Sequence, residues 1–60
     1  MSKRYSPQKA FELIRGYALD GDEKMATRIF AESRISFPRY MAALADGRRA
    51  RASQEQEASA

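Results

Sequence analysis

Neither cysteine nor histidine occurs among the 60 residues of this sequence. The first absence excludes a disulfide framework and a thiolate metal site, and the second removes the commonest metal ligand and the commonest general base. A nucleophile–base pair would then need Ser with Lys, or two carboxylates. Ahead of the C-terminal tail the only closely spaced acids are Asp20, Asp22 and Glu23, which read as the capped start of a helix with solvated charges. Asp20-Gly21-Asp22 is too short and too poor in oxygens for a calcium loop, and there is no glycine-rich motif to cradle a phosphate. These absences predict a chain that is not an enzyme and takes no metal, cofactor or small-molecule substrate. No apolar run approaches the ~20 residues that span a bilayer, and Met1-Ser2-Lys3-Arg4-Tyr5 is not followed by a signal-peptide core. The expectation is a cytoplasmic protein with no membrane role.

Sixty residues make one domain at most, and a chain of that size buries only about 60% of the surface its unfolded form exposes. With disulfides and metals both excluded, what remains is good helix packing or self-association, and a homodimer is expected. The 11 Lys and Arg against 8 Asp and Glu give a net charge of +3, a basic excess compatible with a polyanion partner. Eight of the cations are Arg, whose planar fork suits phosphates and guanine edges better than Lys does, although an Arg-rich codon usage would give the same preference.

The residues that are present lay out an all-α chain. Positions 1–6 form a flexible basic arm. Ser6-Pro7 is a helix start, cap followed by a proline at the first helical position. Ala10, Phe11, Leu13, Ile14, Tyr17 and Ala18 then recur at helical spacing, which predicts a first helix over 7–19. Gly16 inside it suggests a close approach by another helix. Asp20-Gly21-Asp22 breaks the chain, and Asp22 caps a second helix over 22–33 with Met25, Ala26, Ile29 and Phe30 as its apolar face. A tight turn at Arg34-Ile35-Ser36 leads through Ser36-Phe37-Pro38, again a cap and an opening, to a third helix. Its inner face is Phe37, Tyr40, Met41 and Leu44, and it covers 37–46 or longer, with Gly47 either the natural stop or a weak point that the helix reads through. The three-helix domain spans 7–51, and 52–60 is a low-complexity tail of Ala, Ser, Gln and Glu, disordered or a frayed helical extension.

Helix two, the turn and helix three resemble the helix-turn-helix family of small DNA-binding proteins, of the phage Cro-like or excisionase-like kind. The match rests on Ile35 entering the core from the turn, Ser36 capping the following helix, and apolar Tyr40 and Ala43 five and eight positions beyond Ile35. The ending Ala45-Asp46-Gly47-Arg48-Arg49 is similar to the small-residue, Gly, basic ending after Cro-like recognition helices. Phe30, Ser33 and Arg34 depart from the family pattern, which places a small residue, a hydrophobe and a glycine at those positions. The resemblance covers Ala26 to Arg49.

It implies a small DNA-binding transcription regulator, phage- or plasmid-encoded, that sets helix three in the major groove of double-stranded DNA. Arg39, with Arg34, Ser36 and Phe37 beside it, would then read base edges. Arg28, Arg48, Arg49 and Arg51 would contact phosphates, and Lys3 and Arg4 could add an arm. A rival reading is a protein-interaction module, an inhibitor or adaptor docking an apolar helical face on a larger protein. The surplus of large apolar residues in so short a chain motivates it. Binding of RNA through the basic tail ranks last, because no aromatics are interleaved with its arginines.

Overall fold

Ser6 opens the first helix as its sequence directs. Its hydroxyl oxygen accepts a hydrogen bond from the Lys9 amide at 3.2 Å, and Pro7 follows at the first helical position, where its missing donor is harmless. The computed structural model describes residues 4–59, with side chains for 4–55, and contains α1 (Pro7–Asp20), α2 (Glu23–Ala31) and α3 (Phe37–Ser59). Gly21 ends α1 in the left-handed region, at φ 83°. Its N–H donates to the Ala18 carbonyl at 3.1 Å while that of Asp22 donates to Tyr17 at 2.8 Å. Asp22 then turns its carboxylate to the Met25 amide at 3.3 Å and starts α2.

The chain is all-α, three helices with no strand among the described residues, as its periodicity predicts. The second helix is shorter than expected. The Ser33 hydroxyl donates to the Phe30 carbonyl at 3.1 Å and accepts from the Ile35 amide at 3.4 Å, so it replaces the helical ladder with a local turn. Residues 32–36 thus form the connection, with Ser33 and Ile35 both buried. Ser36 does not cap α3 through its hydroxyl: its backbone carbonyl accepts from the Tyr40 amide at 2.9 Å. The basic arm is not free over its whole length either. The amides of Arg4 and Tyr5 donate to the Glu32 carbonyl at 2.9 and 3.4 Å, and Tyr5 bridges to Ser33. The position of Lys3 lies outside the described residues.

The helices run up, down and up. Arg15 pairs with Asp46, Ala18 lies beside Gly47, and the Leu19 carbonyl meets Arg51, so α1 and α3 are parallel. Phe30 stacks on Tyr40 while Glu23 meets Arg48, so α2 returns antiparallel along α3. α1 is the central element and packs against both of the others. Ala10, Ile14 and Ala18 of α1, Ala26 and Ile29 of α2, Ile35 of the connection, and Tyr40, Ala43 and Leu44 of α3 make the core.

One expectation is overturned on α3. Phe37 is 60% exposed and Met41 43% exposed, rather than on the inner face. At about 100° per residue, the packed face is centred between Tyr40, Ala43, Leu44 and Gly47, and Phe37 and Met41 fall on its flank. Of the two bounds left open for this helix the longer holds, since it reads through Gly47 and continues to Ser59. Gly47 is where α1 and α3 touch: a Cβ there would lie 2.5 Å from both the Ala18 Cβ and the Arg15 carbonyl oxygen. Gly16, the position expected to mark such an approach, is exposed, and a Cβ there would meet nothing within 4 Å.

The two glycines therefore predict opposite outcomes. Gly16→Ala should stabilise the fold by about 0.5–1 kcal/mol, because alanine gains helix propensity at no steric cost. Gly47→Ala should destabilise it by about 2 kcal/mol, an overpacking cost near the top of the usual range less a propensity gain of about 1 kcal/mol. Urea unfolding of both variants checks the signs.

Candidate nucleic-acid interface

The eight candidate residues are not equivalent once folded, because carboxylates have taken some of them. Arg28 donates from Nε to Glu32 Oε2 at 3.2 Å, an i,i+4 pair on the outside of α2, and Arg4 reaches the same carboxylate at 3.6 Å. Both pairs are exposed and contribute little, a few tenths of a kcal/mol for the helical one. Arg48 is held more tightly. Its Nε donates to Glu23 Oε2 at 2.9 Å and its Nη2 to Glu23 Oε1 at 2.6 Å, a two-pronged contact that ties α3 to the first residue of α2. Arg51 donates from Nη1 to the Leu19 carbonyl at 3.3 Å, where it satisfies an orphan acceptor at the end of α1, and pairs with Glu55 at 3.1 Å.

Arg34, Arg39 and Arg49 differ. All three are exposed, and among the described residues none has a carboxylate partner. Arg34 lies in the connection, Arg39 in the first turn of α3, and Arg49 ten residues further along the same helix. At 1.5 Å rise per residue the last two are about 15 Å apart along the axis, and at about 100° per residue they are about 80° apart around it. They share one flank. Asp46 lies between them but is engaged by Arg15 at 3.9 Å.

Ala42 and Ala45 are also exposed, so the outward side of α3 between Arg39 and Arg49 carries only short side chains. The first turn of α3 contains no acidic residue to oppose its positive end. Ser36 and Phe37 stand exposed at that end, Phe37 edge-on to Phe30 with ring centroids 6.1 Å apart.

Sequence reasoning missed the long-range pairs, Arg4–Glu32, 28 positions apart, and also Glu23–Arg48 and Arg15–Asp46. The partners in the last two are 25 and 31 positions apart, and all three separations lie beyond any helical period that could have announced them. Among the described residues no group of three acidic side chains is placed to hold a metal ion, and no helix is long and apolar enough to cross a membrane. No family model, no curated protein and no solved structure matches the chain.

The hydrogen bonds from Arg48 hold the Glu23 carboxyl below its usual range, against a small opposing effect of burial and with help from the opposite charge. Glu23 raises the Arg48 pKa in return. Because the folded form of Glu23 takes up a proton less readily than the unfolded form, the pair stabilises the fold fully above the ordinary glutamate pKa of about 4.3 and ceases to do so as pH falls through the lower, folded value. Glu23→Gln should thus lower the melting temperature at pH 7 and lose that difference in acid. Thermal unfolding followed by circular dichroism at pH 7 and pH 3 checks it.

Proposed function

We propose that this protein is a small cytoplasmic DNA-binding regulator that lays the outward flank of α3 against duplex DNA. The observation that carries the reading is the division of the arginines. Five are engaged by carboxylates, while Arg34, Arg39 and Arg49 stay exposed with none among the described residues, and Arg39 and Arg49 lie on the outward side of the longest helix described. An α-helix with its side chains is about 10–12 Å across and the major groove about 12 Å wide. The short Ala42 and Ala45 side chains favour close seating of this flank in the groove.

Because α2 is drawn back along α3 by Phe30, Tyr40 and the Glu23–Arg48 pair, the helix approaches with its side rather than with a protruding tip. In this arrangement Arg39 reads a base edge, for which a bidentate guanine contact is the natural chemistry. Arg49 holds a phosphate. Arg48 serves the fold and not the nucleic acid, and Arg28 and Arg51 reach phosphates only by leaving their carboxylates.

Duplex affinity should therefore fall steeply with salt. Arg49→Ala should weaken binding to every sequence alike and reduce the slope of log K against log[salt] by about 1. Arg39→Ala should cost about 1–3 kcal/mol on the preferred sequence and flatten the preference. Arg48→Ala should lower the melting temperature and leave affinity per folded molecule unchanged. Fluorescence anisotropy with labelled duplexes at several salt concentrations measures all three, and an absence of duplex binding at low salt would sink the reading.

A further inference from the structure

Two features of α1 have no role within the monomer, and on α3 an apolar edge remains exposed although Phe37 packs edge-on to Phe30. Gly16 sits mid-helix on the exposed side of α1 with nothing within 4 Å of where a side chain would begin, although glycine at such a position costs about 1 kcal/mol relative to alanine. Around it lies a shallow open depression lined by Glu12, Leu13, Gly16, Tyr17, Leu19 and Asp20. Its floor is apolar, and the carboxylates of Glu12 and Asp20 flank it with no cation partner among the described residues. On α3, Phe37 and Met41 are exposed four residues apart, preceded by the unpaired Arg34.

We infer that these features are the two halves of one contact: the Phe37–Met41 edge of one copy of the chain seats in the Gly16 depression of the next, with Arg34 brought to the carboxylates of Glu12 and Asp20. A glycine allows an aromatic ring to lie against the α1 backbone, where any side chain would hold it off. The apolar walls of Leu13, Tyr17 and Leu19 receive the ring, and opposite charges meet at the rim.

The pairing is asymmetric, because the projecting residues are on α3 and the receiving ones on α1. Gly16 is on the side of α1 turned away from its packed stripe of Ala10, Ile14 and Ala18, which faces the other two helices. A contact between unlike surfaces that does not close on itself propagates, so the assembly grows head to tail instead of stopping at a two-fold dimer. Arg39 lies about 160° around α3 from both Phe37 and Met41, and Arg49, about 80° from Met41, lies about 12 Å further along the helix, so both arginines remain outside the contact. The inference does not rest on the DNA reading and is tested without nucleic acid.

Sedimentation velocity of the full chain over a range of concentrations should show a mass that climbs past the dimer without a plateau. Phe37→Ala removes the projecting ring and Gly16→Gln fills the depression with a good helix former. Each variant alone should associate at least about tenfold more weakly, with unchanged helicity by circular dichroism. An equimolar mixture of the two should form a heterodimer and nothing larger, because each retains the half that the other lacks. A chain that stays monomeric at all concentrations overturns the inference. So does a dimer that Gly16→Gln leaves intact, which would place Phe37 against its own symmetry mate or against another surface.

Discussion

Between Ala18 and Gly47 the backbones of α1 and α3 come so close that one added methyl group would collide with a β-carbon and a carbonyl oxygen at once. The interior is made to suit that approach. Ala10 and Ala18 on α1 and Ala43 on α3 are fully or almost fully buried, and among the described residues Ile14 is the largest side chain with no exposure, while Ile29, Ile35 and Leu44 keep 3–5%. Dispersion between packed atoms falls away steeply with separation, so a chain with few large core residues gains most by bringing its helices close. Once α3 is pressed onto α1 at residue 47, its rotation is fixed. Tyr40, Ala43 and Leu44 turn inward, Phe37 and Met41 are left on one flank, Arg39 on the other, and Arg49 faces away from the core.

That rotation also decides which charges find each other. Asp46 is delivered to Arg15, Arg51 to the free carbonyl at the end of α1, and Arg48 to Glu23 at the start of α2. α2 has only nine residues and few contacts with the α3 backbone, and side chains do the spanning. Phe30 stacks on Tyr40 with ring centroids 4.4 Å apart, and Thr27 Oγ1 and the Tyr40 hydroxyl lie 3.1 Å apart in a hydrogen bond. The Glu23–Arg48 pair closes the far end. A net charge of +3 spread along the chain thereby becomes a basic flank on α3 and a weakly acidic depression on α1. Both proposals grow from this sorting, on different sides of the same helix.

The number of helices, their starts at Ser6-Pro7 and Asp22, the break after α1 at Asp20-Gly21-Asp22, and the burial of Ile35, Tyr40 and Leu44 are all legible in the amino-acid sequence. Each depends on residues within a few positions of one another, through caps, a left-handed glycine or a helical period. The two mid-helix glycines play the reverse of the parts their sequence context suggests, Gly47 lying at the crossing and Gly16 facing solvent. A glycine inside a helix looks the same in a sequence in either place, and only the position of the second helix tells them apart.

The candidate site divides along the same line. Sequence alone determined that the chain is helical, rich in arginine, and without cysteine or histidine, because composition and short-range periodicity carry that information. It could not determine which arginines remain available. Arg48 and Arg49 are neighbours in the chain, yet about 100° of helical rotation sends one to Glu23 and the other to solvent. That choice belonged to the tertiary structure alone, since it follows from the depth and rotation at which α3 rests on α1.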